Sequence, residues 1–170
     1  EFSDDATTLT LTSGTVKAIF NKANGALLAF GEGDDNLLLQ GPQLNAWRGA
    51  TDNDGIKLMM EQQFYKPIAH WLSLGLDKLE QRLESIRVVE TDDGLPAIET
   101  VHSASGRGEW QDFTHMQRFV LLPSAELRVE NSVKLGNDAN DLPRVGVTLQ
   151  LPPELEKFTW YGRGPWENYS

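Results

Sequence analysis

Between Trp110 and Leu151 apolar and polar residues alternate with period two through three successive runs, and this pattern constrains the fold more than any other feature of the chain. In the run Trp110–Leu122, Phe113, His115, Gln117, Phe119 and Leu121 share one face, and Thr114, Met116, Arg118 and Val120 the other. Pro123-Ser124 turns the chain into a second run, with Leu127, Val129, Asn131, Val133 and Leu135 opposite Glu126, Arg128, Glu130, Ser132 and Lys134. Beyond the polar loop Gly136–Asp141, Val145, Val147, Leu149 and Leu151 alternate with Arg144, Gly146, Thr148 and Gln150. Successive side chains of a strand point to opposite faces, so each run predicts a strand buried on one side only. Pro152-Pro153 ends the last one, because proline has no N–H to give a ladder.

The same logic organises the rest. Leu9 and Leu11 alternate with threonines up to Ser13-Gly14, and Val16, Ala18 and Phe20 alternate again. Asn24-Gly25 is a turn signal before the run Ala26–Phe30; Gly31–Asn36 is a loop, and Leu37–Leu39 reads as a short buried strand. Gly41–Gly55 reads as a long irregular loop. Phe64–Leu74 predicts a helix, with Phe64, Ile68, Trp71 and Leu72 on one face, Pro67 in the first turn and Gly75 at the end. Asp77–Glu84 has helical leucine spacing at Leu76, Leu79 and Leu83 but leads into the strand-like Ile86, Val88 and Val89. Thr91–Gly94 is a turn, Ala97–Ala104 a strand, and Ser105–Gly108 a further turn. Long antiparallel strands with one polar face imply stacked sheets: an all-β fold, read as one domain over residues 1–170.

Composition narrows the function. Fifteen Lys and Arg against 25 Asp and Glu leave a net charge of −10. Nucleic acids and anionic membranes need basic partners, so neither is expected. Cysteine is absent, which excludes disulfides and thiolate chemistry. No apolar run reaches membrane-spanning length, and no signal-peptide pattern is present.

Two stretches carry candidate chemistry. In the first, Asp52, Asn53 and Asp54 resemble the start of a calcium loop, but the glycine and glutamate that such a loop requires are missing. An Asx-turn loop is the plainer reading. The second is Phe158-Thr-Trp-Tyr-Gly-Arg-Gly-Pro-Trp-Glu-Asn-Tyr-Ser170, where a glycine-proline turn holds Arg163 beside aromatics. Flat rings with Arg, Glu and Asn suit a sugar; they equally suit a core in which Arg163 pairs with Glu167. His70, His102 and His115 lack zinc-ligand spacing, so no metal site is expected. Glycoside hydrolysis needs two carboxyl groups roughly 5 to 9 Å apart. Glu109, Asp112, Glu167 and Asp54 are conceivable members, with nothing in the sequence to bring two together.

Both stretches resemble motifs of the C-terminal small-chain domain of bacterial β-galactosidases, glycoside hydrolase family 2. Tyr161-Gly-Arg163-Gly-Pro-Trp166-Glu167-Asn168-Tyr169 is similar to one motif. Asn45, Trp47, Arg48, Thr51, Asp52, Asn53 and Asp54 match the other. Ala46 stands where the family has an aromatic and Gly49-Ala50 where it has Ala-Pro, which implies a looser, less apolar loop. The resemblance implies a β-supersandwich of the galactose-mutarotase-like type with one short helix, a strand from about Lys78, and a domain continuing beyond Ser170. A fragment of that kind would lack its last strands and expose a sheet edge.

What the resemblance implies for function follows. Both catalytic glutamates would lie in a separate (β/α)₈ barrel of the parent chain, so no catalytic residue is expected here. Trp47, Arg48, Asp52, Asn53 and Asp54 would form a loop at the rim of the active site, with Arg48 either a salt-bridge anchor or a donor near the galactoside substrate. Tyr161, Arg163, Trp166, Glu167, Asn168 and Tyr169 would be structural or sugar-binding. No cofactor is expected in this chain; magnesium or sodium would be bound elsewhere in the parent, itself a cytoplasmic protein and a candidate homo-oligomer. Three other readings share the fold: a free-standing carbohydrate-binding module, a structural interface domain, and an aldose epimerase using His102 and His115.

Overall fold

In the computed structural model, which describes residues 1–58, 62 and 64–162, the N-terminal alternation forms a four-stranded antiparallel sheet. Its strands lie in chain order: β1 (Phe2–Asp4), β2 (Thr8–Ser13), β3 (Val16–Asn21) and β4 (Leu27–Glu32). The turn between β3 and β4 needs its glycine. Gly25 has φ +70°, and a Cβ there would sit 2.7 Å from Leu83 Cδ1 and 3.0 Å from His102 Nε2.

A second four-stranded sheet is the long meander β6 (Glu80–Glu90), β7 (Pro96–Ser105), β8 (Phe113–Leu121) and β9 (Leu127–Leu135). A third pairs β5 (Gln40–Asn45) with β10 (Gly146–Gln150) through Val147↔Leu44 and Thr148↔Gln43. The chain is thus all-β and antiparallel, with one short helix, α1 (Pro67–Ser73), among the described residues.

Two hydrophobic clusters hold these elements together. In the first, Leu9, Leu11, Ala18, Phe20 and Leu27 pack on Ile98, Phe119 and Leu121, stacking the first sheet on the second. The Phe20 and Phe119 rings meet edge to face with centroids 4.9 Å apart. Each such fully buried phenylalanine contributes roughly 1.5–3 kcal/mol relative to exposure. The second cluster joins Leu44 and Ala46 to Ile68, Trp71, Leu74 and Leu76 over Ala104 and Phe113, so it seats α1 on the other end of the meander. At the exit of α1, backbone meets backbone. A Cβ on Gly106, in the β7–β8 loop, would fall 1.8 Å from the carbonyl oxygen of Gly75.

Between the clusters the inner face of the meander is polar. Along β7 the order is Ile98, Thr100, His102, Ala104, and along β8, in register, Phe119, Gln117, His115, Phe113. Thr100, His102, His115 and Gln117 are all buried. His102 Nε2 donates to the Asn24 carbonyl at 2.9 Å, and Asn131 Oδ1 accepts from both His115 Nε2 and Gln117 Nε2 at 3.0 Å. The outer face carries an ionic ladder. Glu99, its side chain 5% exposed, is bridged by Arg87 at 2.6 Å and Arg118 at 2.5 Å.

The structure departs from the sequence expectations in four places. Leu37–Leu39 is not a strand: only Leu38 is buried, and Leu39 is 65% exposed. The strand lies just beyond it, at Gln40–Asn45, inside the stretch expected to be loop; Gly41 and Pro42 hide an edge-type strand whose anchor is Leu44. The helix is shorter than expected. It starts at Pro67, and Phe64 and Leu72 are exposed while Ile68 and Trp71 are buried. Leu76–Lys78 makes a single 3₁₀ turn with Leu76 in the core, so β6 begins at Glu80 rather than Lys78. The long central strand likewise begins at Phe113, because Trp110–Asp112 turns through an Asp112 N–H to Glu109 carbonyl bond of 2.8 Å.

Candidate functional site

The loop leaving β5 is built from short-range hydrogen bonds. Asn45 Oδ1 accepts the Trp47 N–H at 2.7 Å, which bends the chain directly after the strand. Ala46 is fully buried in the second cluster, so the small residue fits where a larger one would not be expected to gain space. Trp47 is half-buried and meets Trp71 of α1 edge to face, with centroids 6.3 Å apart at 87°. Trp71 is held in turn: its Nε1–H donates to the Asp141 carbonyl at 2.8 Å.

Arg48 closes the loop on itself. Its Nη1 donates to Asp54 Oδ2 at 2.7 Å and its Nη2 to Oδ1 at 3.1 Å, a two-point bridge that fixes the guanidinium plane. The same Nη1 reaches the Gly49 carbonyl at 3.0 Å, and Cζ lies 5.0 Å from the Trp71 ring centroid. Asp54 Oδ2 also accepts the Thr51 N–H at 2.7 Å and the Thr51 hydroxyl at 2.8 Å, capping the 3₁₀ turn Asp52–Asp54. Hydrogen bonding from Arg48, with that from Thr51, holds the Asp54 carboxyl well below the usual carboxylate range. The geometry is that of an anchor: a charged carboxylate held by an arginine whose guanidinium lies against Trp71.

The remaining expected residues are placed differently. Asp52 pairs with Lys57 at 2.6 Å on the surface, and Asn53 is exposed. Tyr161 is fully exposed, while Arg163, Trp166, Glu167, Asn168 and Tyr169 lie outside the described residues. Trp71 completes the Trp47–Arg48 cluster, yet in the sequence it is only one apolar residue of a helix. Its partnership with a loop more than twenty residues away comes from the fold.

The carboxylate candidates also resolve. Asp112 is bound by Arg107 at 2.6 Å and by the Ser105 hydroxyl at 2.9 Å, and the Arg107 bond lowers its pKa. A general acid must hold a proton near neutral pH, which needs a raised pKa. Asp54 and Asp112 are pushed the opposite way. Glu109 is exposed, and Glu167 lies outside the described residues. His102 and His115 stand side by side across β7 and β8, each ring bonded to a neutral oxygen rather than to a carboxylate. No group of three or more His, Asp or Glu side chains among the described residues could hold a metal ion. No helix among them is long and apolar enough to cross a membrane.

Fold and loop together define an antiparallel β domain that presents a pinned Trp-Arg loop. The chain belongs to the β-galactosidase small-chain family, whose description is matched by residues 12–170. It is 31% identical to a β-galactosidase of Vibrio cholerae over 159 residues, covering 88% of this chain and 15% of that protein. Similarity to the β-galactosidase of Priestia megaterium is 29% over 164 residues, 95% of this chain and 14% of that one. With the Kluyveromyces lactis enzyme it is 29% over 133 residues, 76% and 12%. The chain therefore spans about one seventh of the length of the first two relatives.

Proposed function

We propose that this chain is the accessory β domain of a β-galactosidase that hydrolyses terminal β-D-galactosides with retention. The observation that carries the reading is the family match over residues 12–170, joined to relatives that all bear the name β-galactosidase. Chemistry would be supplied by two glutamates of a (β/α)₈ barrel elsewhere in the parent, together with any magnesium or sodium it holds. The loop Trp47–Asp54 would stand at the rim of that active site: Trp47 as a flat wall for the sugar, Arg48 and Asp54 as the brace behind it. The arrangement suits this role because a wall contributes to positioning only when its own freedom has already been removed.

Kinetics of the full-length parent test the reading. Trp47→Ala and Arg48→Ala should each lower kcat/KM by one to two orders of magnitude, roughly 1.4 to 3 kcal/mol, while leaving measurable activity. Unchanged kinetics beside a sharply lowered thermal midpoint would make the loop structural only. The 170-residue chain by itself should release no phenol from an aryl β-galactoside, and turnover that co-purifies with it would overturn the assignment of the chemistry to the parent.

A further inference from the structure

A cleft of about 540 Å³ opens beside the polar layer, away from the Trp47 loop, between the β3–β4 turn, the start of β5 and the start of β6. Its hydrogen-bonding groups are amides and an imidazole: Gln40, Gln43, Gln81, Gln117 and His102. Among the described lining residues there is no carboxylate and no lysine. Arg82 is the one charged side chain there, and its guanidinium stacks 3.6 Å above the Trp110 ring. Leu28 and Leu39 line the same cleft and stay 45% and 65% exposed, so it has an aliphatic wall as well. His102 is 92% buried by its 8% exposure, and its Nδ1 has no hydrogen-bond partner among the described residues. Its Nε2 is spent on the Asn24 carbonyl, in the β3–β4 turn that lines the same cleft.

We propose that this cleft is a saccharide-binding site, separate from the loop at Trp47, for one or two neutral sugar units. A primary amide both donates and accepts, as a hydroxyl does, so Gln40, Gln43 and Gln81 match a polyol better than an ion, while the Gln117 amide is already committed to Asn131 and the Pro42 carbonyl. A net charge of −10 repels anionic ligands, and without a carboxylate in the lining a cation has no counter-charge there. The leucine wall fits the C–H face of a pyranose, which a simple polyol or a phosphate lacks. Gly25 packs its backbone against Leu83 and His102 in the wall of the cleft, with no room for a side chain between them. The choice of sugar as probe rests on the β-galactosidase reading; the existence of the cleft does not.

The test is a titration of the isotope-labelled chain with lactose, followed through the Gly25 amide, the glutamine side-chain amides, the imidazole signals and the tryptophan indoles. Saturable shifts at Gly25, Gln43, Gln81 and His102 are expected, with a Kd on the order of 1 mM. Gln43 is exposed and can be truncated without disturbing the core; Gln43→Ala and Gln81→Ala should each weaken binding by about tenfold, equivalent to ~1.4 kcal/mol. Unchanged affinity in both variants overturns the site. So does the same shift pattern with glycerol, which would mark simple hydration. Shifts confined to the Trp47 indole would move the sugar to the loop, refuting the cleft and supporting the rim reading. No saturable shift up to ~50 mM lactose, some fifty times that Kd, refutes the cleft alone and leaves the kinetic test of the loop standing.

Discussion

At the scale of single residues, the Arg48–Asp54 bridge and the buried His115 respond to acid in different pH windows. Asp54 has its pKa lowered by Arg48, so the folded state favours the carboxylate more than the unfolded chain does. The stability this supplies is present above the ordinary carboxylate pKa, about 3.9, and is lost as pH falls through and below it. Asp54→Asn should lower the thermal midpoint at pH 7 by an amount equal to roughly 1–3 kcal/mol and flatten the acid limb of the midpoint-versus-pH curve. His115 acts earlier. Burial pushes its pKa down, and protonation would place an N–H at Nδ1 where no acceptor stands among the described residues. The unfolded chain then binds the extra proton more readily, so stability is full above about pH 6.5 and declines as pH falls below it. Thermal midpoints at pH 7.5 and 5.5 should differ in the parent sequence and differ less in His115→Gln. An equal pH slope in the variant would remove His115 from the account. Which carboxylate Arg48 binds is only half legible in the sequence. Both residues lie in one motif, but six-residue spacing in a loop does not dictate a bond; the Thr51 cap that turns Asp54 inward does.

At the scale of elements, the meander was readable because strict alternation has one solution: β8 buries every residue that the pattern assigns to its inner face, and β9 pairs with it in the matching register, with Asn131 and Leu135 exposed. Edge strands follow weaker rules. β5 carries Gly41 and Pro42, which depress strand signals, and its place is set by pairing with β10 a hundred residues later. The apolar Leu37–Leu39 looked like the better strand, yet Leu39 faces solvent and only its N–H, bonded to Gln150, continues the ladder. The length of α1 was misread for a related reason: Phe64 fits helical spacing, but Lys66 caps the helix in an extended conformation and Pro67 begins it. Where α1 leaves for β6, Gly75 and Gly106 touch without side chains between them. Gly106→Ala should force the helix and the β7–β8 loop apart, at a cost of roughly 1–3 kcal/mol, seen as a lowered midpoint with the far-ultraviolet spectrum unchanged. A midpoint within error of the parent would show that the contact yields freely.

At the scale of the whole molecule, the stacked-sheet class was legible, whereas the division of its interior was not. His115 and Gln117 fall on the face that the alternation assigns to the core, but a one-dimensional pattern does not say that they line up with Thr100 and His102 across two strands and part the core. The apolar contacts that make neighbouring side chains depend on one another stop at that layer. Substitutions on opposite sides of it should therefore be independent. Phe20→Leu combined with Leu74→Ala should cost the sum of the single effects to within about 0.5 kcal/mol, while Phe20→Leu with Phe119→Leu, whose rings touch, should depart from additivity by about 0.5 kcal/mol or more. Denaturant titration of the three single and two double variants reads both numbers, and strong coupling between Phe20 and Leu74 would show the layer to be no barrier. The consequence reaches into how such a chain can change over time. A packing defect at the α1 end finds no remedy among the residues around Phe20, so each half of the interior must be repaired from within its own neighbourhood, and the two can drift in sequence on separate schedules.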